Sequence, residues 1–149
     1  MPANREAGDI TGLLIRPGTA ADLPEVSAIQ EASPEAAQWD PADYLGYHFL
    51  VAALPERVTG FLVFRNLGAG ECEVLNLVVS GDFRRKRVGR ALFQAMIAGY
   101  PGAIFLEVRE SNVNAQEFYK SLNFKVISKR DNYYQRPPEA AIVMKFHSC

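Results

Sequence analysis

The sequence predicts a mixed α/β fold: one domain with a mostly antiparallel central sheet flanked by helices, in the order β-α-α-β-β-β-α-β-α-β-β. Three observations carry this. Strand-like and helix-like apolar periods alternate along the whole chain, with no repeat, low-complexity tract or linker to divide it. The first half contains two β-branched and aromatic runs separated by a short turn, which reads as a hairpin. The second half reads strand, helix, strand, helix, strand, and a helical crossover normally joins parallel strands. At 149 residues, 48% of them apolar and 22% charged, the chain has the composition of one globular domain that buries its core without disulfide staples.

Residues 1 to 12 are polar, small and aperiodic and are expected to form a flexible leader, with the domain spanning 13 to 147. Leu13 to Arg16 is a short strand ended by Pro17-Gly18. Asp22-Leu23-Pro24-Glu25 supplies an N-cap, a first-turn proline and an acid three residues on, so a helix is expected from Leu23 to Glu31. Trp39-Asp40-Pro41 opens a second short helical stretch. His48 to Leu54 and Val58 to Arg65 form the hairpin. After Gly68-Ala69-Gly70, residues Glu71 to Val79 make a long strand whose apolar second half predicts cover on both faces. Val88, Leu92, Ala95 and Met96 form one stripe of a helix that Gly99 to Gly102 ends. Ala103 to Arg109 is a strand. Asn112 to Leu122 is a helix with Ala115, Phe118, Tyr119 and Leu122 on one face, and Asn123 stands where a left-handed residue is wanted. Phe124 to Ser128 and Ala140 to Phe146 close the chain as strands.

Sixteen Lys and Arg against seventeen Asp and Glu give a net charge of −1. That balance supplies no global field for nucleic acid or an anionic membrane. Cys72 and Cys149 have no metal spacing, and no disulfide is expected. No apolar run has the length of a signal peptide or a membrane span, so the chain reads as cytoplasmic. His48 and His147 are isolated, no Ser/His/Asp arrangement supports a covalent intermediate, and no metal site is expected.

The local exception is Phe83 to Arg90, where Arg84, Arg85, Lys86, Arg87 and Arg90 put five cations at the junction of a strand and a helix. Unpaired N–H groups and the macrodipole make a helix N-terminus favourable for anions, and Gly89 allows close approach. The turn can grip a pyrophosphate, or it can be a solvated basic loop.

The stretch Leu75 to Leu92, with Leu77-Val78-Val79 leading into Arg84 to Gly89, resembles the acyl-CoA-binding motif of the GNAT acyltransferase superfamily. Leu106 to Ala115 and Phe118 to Phe124 look like that superfamily's second CoA-side element. Arg130-Asp131-Asn132-Tyr133-Tyr134 and Ala141 to Met144 resemble the ribosomal-protein-alanine N-acetyltransferases (RimI-like) more narrowly. The resemblance implies a GNAT-like domain using acetyl-CoA as cosubstrate. It assigns main-chain contacts to Leu77, Val78 and Val79, the pyrophosphate turn to Arg84, Arg85, Lys86, Arg87, Val88, Gly89 and Arg90, and further cofactor contacts to Asn112 and Ala115. Asn112 also suits a helix N-cap.

The same resemblance makes Glu107 the candidate general base and Tyr119 the candidate general acid. By themselves, Glu107 reads as a salt-bridged acid, with Arg109 as the neighbouring partner, and Tyr119 reads as core. Asn132, Tyr133 and Tyr134, expected in a loop between the last strands, are candidates for the acceptor side. Three departures stand out: Arg87 replaces the turn's first glycine, Asn123 replaces a glycine, and Ala140 stands where an acid is usual. The implied acceptor is a protein N-terminus, with a ribosomal protein as the type case. Acetylation of a small amine, amino acid or lysine, which the changes at Arg136, Pro137, Pro138 and Ala140 leave open, is the alternative. A non-catalytic acyl-CoA sensor is a third reading. Either a monomer or a homodimer is compatible with the sequence.

Overall fold

The computed structural model of the chain describes residues 10–135 and 138–147. Most of the expected leader, Arg136, Pro137 and Cys149 lie outside the described residues. The elements are β1 (Leu14–Pro17), α1 (Leu23–Glu31), β2 (His48–Leu54), β3 (Arg57–Gly68), β4 (Glu71–Val79), α2 (Val88–Gly99), β5 (Ala103–Arg109), α3 (Val113–Ser121), β6 (Lys125–Gln135) and β7 (Pro138–His147). Short 3-10 turns occupy Ala20–Asp22, Pro41–Gly46 and Gly81–Phe83. The strands hydrogen-bond in the order β1-β2-β3-β4-β5-β7-β6, so the predicted mixed α/β class with a mostly antiparallel sheet holds. The described residues fall into two compact units, one comprising those up to Arg65 with Leu75–Gly99, the other Asn66–Val74 with those from Tyr100 onward.

In the first unit β1, β2 and β3 pair antiparallel, with a bulge at Thr59 of β3, opposite the step from Ala52 to Ala53 on β2. Its core gathers Val26 and Ile29 of α1 with Tyr44, Phe49, Val51, Phe61, Val63 and Val78. The second predicted helix is a 3-10 turn. Its bonds are of the i to i+3 kind, with Asp43 N donating to Asp40 O (2.9 Å) and Tyr47 N to Tyr44 O (3.1 Å), and six residues opened by a proline are too few to nucleate an α-helix. Asp22 does not cap α1 through its side chain. Its carboxylate accepts both nitrogens of Arg16 (2.8 and 2.9 Å) and the N–H of Thr19 (2.8 Å), so the capping box lies one turn earlier, between Thr19 and Asp22. The Arg16 bond, ahead of the opposing cost of burial, lowers the Asp22 carboxyl to about 2. Glu25, the expected box partner, instead accepts the N–H of Val58 (2.9 Å).

Strand β4 is not covered equally on both faces. Cys72, Val74, Asn76 and Val78 are buried while Leu75, Leu77 and Val79 are half-buried, the alternation of an ordinary pleat. Gly60 of β3 lets the backbones close: a Cβ there would lie 3.0 Å from Val78 O. Asn76 is the polar member of the buried face. Its amide donates to Ala37 O (2.9 Å), Tyr44 Oη (3.1 Å) and Gln30 Oε1 (3.3 Å), while Gln30 donates to Trp39 O (2.6 Å) and Gln38 to the carbonyls of Gln30, Ser33 and Ala36. Side-chain amides thus satisfy the carbonyls of a segment, Ser33 to Trp39, that has no ladder of its own.

In the second unit β4 and β5 run parallel, registered from Glu71↔Ala103 to Glu73↔Phe105, and β5 pairs antiparallel with β7 along its length. Ile104, Leu106 and Val108 are buried, with Phe105, Glu107 and Arg109 on the other face and partly open. Asn123 adopts the left-handed conformation expected of it (φ 76°). β6 is longer than predicted: it continues to Gln135, so Asn132, Tyr133 and Tyr134 lie on a strand rather than in a loop. The register slips between Arg130, opposite Ala141, and Tyr134, opposite Glu139. That slip accommodates two extra residues, and Asn132 takes the bend with φ 55°, which asparagine tolerates better than most side chains.

Candidate active site

The basic turn, in the first unit, is built on backbone that a side chain rarely accepts. Arg85 (φ 63°) and Arg87 (φ 66°) are both left-handed, a conformation costing about 1 kcal/mol or more at each non-glycine residue. Arg87 therefore adopts the geometry that the missing glycine would have supplied. The first helical bond of α2 runs from Ala91 N to Arg87 O (3.0 Å), so the N–H groups of Val88 and Gly89 head the helix. Val88 and Gly89 are buried, while Arg85, Lys86 and Arg87 are exposed. Arg84 turns back onto the protein. It donates to Val79 O (3.2 Å) and Ser33 Oγ (2.8 Å) and lies 3.6 Å from Glu35, tying the turn to the segment after α1. Leu77 and Val79 are half-buried on β4 and Val78 is in the core.

The second unit holds a compact group of acids, arginines and tyrosines. Glu107 Oε2 accepts from Arg130 (2.7 Å), and the Glu107 side chain keeps only 16% of its exposure. Its partner is therefore Arg130 rather than the neighbour Arg109, whose guanidinium bonds Glu139 (3.2 Å). Glu139 also accepts the N–H of Ser111, and hydrogen bonding from Ser111, through its side chain first and its N–H second, with Arg109 adding to it, lowers the Glu139 carboxyl from the ordinary value. Arg130 lies 4.2 Å over the ring of Tyr133, Arg109 lies 4.2 Å over Tyr134, and the two rings meet edge to face at 5.2 Å. Burial raises both phenols above their usual range, and the negative charge of Glu107, which Tyr133 also hydrogen-bonds, raises them further.

Tyr119 lies on the inner face of α3 against Phe118 and Phe124, and burial pushes its phenol well above the usual range. Asn112 caps α3 by accepting the N–H of Ala115 (3.2 Å). Among the described residues, no group of three His, Cys, Asp or Glu could hold a metal ion, and no helix is long and apolar enough to cross a membrane.

The basic turn with its helix, the strand that carries Glu107 and the helix that carries Tyr119 all fall inside one family match. The model of the "Acetyltransferase (GNAT) family" matches residues 20–124, more than half of the chain. The chain is a GNAT-family acetyltransferase. This GNAT chain is 30% identical over 134 residues to the "[Ribosomal protein bS18]-alanine N-acetyltransferase" of Salmonella typhimurium, covering 83% of this chain and 89% of that protein. Among solved structures, the ribosomal-protein-S18-alanine N-acetyltransferase of Escherichia coli superposes with a TM-score of 0.75 at 26% identity, covering 90% and 92% of the two chains. Ard1 from Thermoplasma volcanium superposes with a TM-score of 0.84 at 27% identity, covering 93% and 99%.

Within the second unit the structure gathers Glu107, Tyr133 and Tyr134, which the sequence reading assigns to separate roles, a candidate base and two candidate acceptor-side residues. Asn132 enters as the bend that aims its neighbours, and Tyr119 and Asn112 lie on or beside α3. Arg130 and Glu139 were not singled out, although both flank singled-out residues. The signal for Arg130 was its place in the Arg130 to Tyr134 motif, and strand alternation alone conceals that it shares a carboxylate with Tyr133.

Proposed function

We propose that this GNAT domain, residues 13 to 147, transfers the acetyl group of acetyl-CoA to the α-amino group of a protein N-terminus, acting in the cytoplasm. The observation that carries the reading is Glu107: a carboxylate set into an otherwise apolar strand, held by Arg130 and touched by Tyr133, in a chain 30% identical over 134 residues to an N-terminal alanine acetyltransferase. In this reading the main chain of Leu77, Val78 and Val79 binds the amide-rich arm as an added strand would. The N–H groups of Val88 and Gly89, with Arg85, Lys86, Arg87 and Arg90, take the pyrophosphate. Asn112 and Ala115 add contacts at the head of α3. Arg84 serves this binding indirectly, since its guanidinium is engaged by Ser33, Glu35 and Val79.

An amine attacks a thioester only when neutral. An α-amino group, with a reference pKa of about 8 against about 10.4 for lysine, needs the weaker base. Glu107 accepts the amine proton, directly or through a water. Tyr119, kept protonated by burial, holds a hydrogen toward the departing sulfur. Tyr133 and Tyr134 border the acceptor, Tyr133 being the more exposed of the two.

The test is a panel of peptides with free N-termini, including alanine-first sequences, beside free amino acids, small amines and N-terminally blocked lysine peptides, with released thiol as the readout. Turnover on free N-termini is expected, falling about 100-fold in Glu107→Gln. Reaction of small amines alone would replace the acceptor class, and calorimetric binding of acetyl-CoA without turnover on any amine would mark a sensor.

A further inference from the structure

The bend in β6 does something that a regular strand could not. Arg130 and Tyr133 are three residues apart, so an unbroken pleat would point them to opposite faces. The register slip between Arg130 and Tyr134, with Asn132 at φ 55°, brings both onto Glu107 instead. The groups around that carboxylate are Arg130, Tyr133 and Tyr134 of β6, Arg109 two residues on along β5, and, beyond the two tyrosines, Glu139 of β7 and Glu73 of β4. Glu107 itself stands opposite Val143 on β7. Of these, Arg130 is the cation in direct contact.

We infer that Arg130 is a positioning residue for Glu107, holding the carboxylate in one orientation while the Tyr133 ring fixes the guanidinium from its flat side. The inference rests on the reading of Glu107 as the base. Arginine suits the task because a planar guanidinium can stack on a ring and bond a carboxylate at once, which a lysine ammonium does less well. Arg109 repeats the arrangement with Tyr134 and Glu139, and Glu139 in turn holds Ser111 N beside the cap of α3. Glu107 is thereby joined through ring and ion contacts to the turn at the end of its own strand.

The experiment compares kcat and KM for the parent, Arg130→Gln and Arg130→Lys, using an acceptor from the peptide panel. In Arg130→Gln kcat is expected to fall about fivefold, a modest loss because the arginine is half exposed and solvent screens the pair, with the acceptor KM and acetyl-CoA binding each changed less than twofold. Arg130→Lys, which keeps the charge but not the flat contact, recovers only part of kcat. Adding Arg130→Gln to Glu107→Gln costs no further activity. An unchanged kcat in Arg130→Gln, while Glu107→Gln alone remains about 100-fold impaired, would overturn the positioning role and leave the base in place. If Glu107→Gln retains full turnover, the base itself is wrong and Arg130 loses its role with it.

Discussion

The turn before α2 and the cluster around β5 and β6 both concentrate arginine, but they dispose of its charge in opposite ways. In the cluster each cation has an acid of its own: Arg130 with Glu107, Arg109 with Glu139, Lys129 with Glu110 at 3.0 Å. In the turn four consecutive residues, Arg84 to Arg87, are all cationic, and Arg84 lies against Glu35. Two of those residues, moreover, sit on left-handed backbone. A group of charges neutralised from within suits holding one side chain steady. A run of like charges on strained backbone at a helix N-terminus suits an anion that arrives from solution. In the function proposed above, the difference separates a region assigned to chemistry from one assigned to binding.

If that separation is right, substitutions in the two regions move different constants. The largest effect after Glu107→Gln is expected from Tyr119→Phe, in the unit that also holds the proposed base. Turnover falls at least tenfold while the calorimetric Kd for acetyl-CoA changes less than twofold, and unchanged turnover at saturating acceptor would take Tyr119 out of the mechanism. Arg87→Gly probes the other region. The glycine keeps the left-handed backbone and loses one cation, so acetyl-CoA binding is expected to weaken about threefold with a shallower dependence on salt, leaving kcat alone. A tightening would show instead that the Arg87 side chain obstructs the turn.

The smallest effect on either constant is expected from Asp22→Asn, which touches neither region and serves as the control. The folded Asp22 carboxyl titrates near 2 against an ordinary value of 3.8, so its stabilisation is complete above about pH 4 and is lost as pH falls toward 2. Its side chain is only 8% exposed. Asp22→Asn should cost about 2 kcal/mol of unfolding free energy at neutral pH, read by urea titration, and flatten the acid end of the stability profile.

Most of the framework was legible because it rests on local signals. Leu23–Glu31, Glu71–Val79 and Ala103–Arg109 appear with the bounds that apolar period, proline and glycine predict, and Asn112 and Asn123 end α3 as their side-chain chemistry requires. What escaped depends on partners distant in the chain. That Asp22 faces Arg16 rather than its own helix, that Glu107 takes Arg130 over Arg109, and that Arg84 is drawn to Ser33 are choices made by tertiary proximity. The bend at Asn132 escaped for another reason: asparagine before two tyrosines reads equally as loop or as strand until the register of the neighbouring strand is known.

The side-chain amides that hold Ser33 to Trp39 have one more consequence. Gln30, Gln38 and Asn76 carry no titratable group, so acid cannot cut their ties, whereas the bonds that Ser111 and Arg109 make to Glu139 are lost once its carboxylate takes up a proton. Acidification should therefore dismantle the protein in a set sequence, with the hairpin of β6 and β7 loosening while the segment after α1 still keeps its shape.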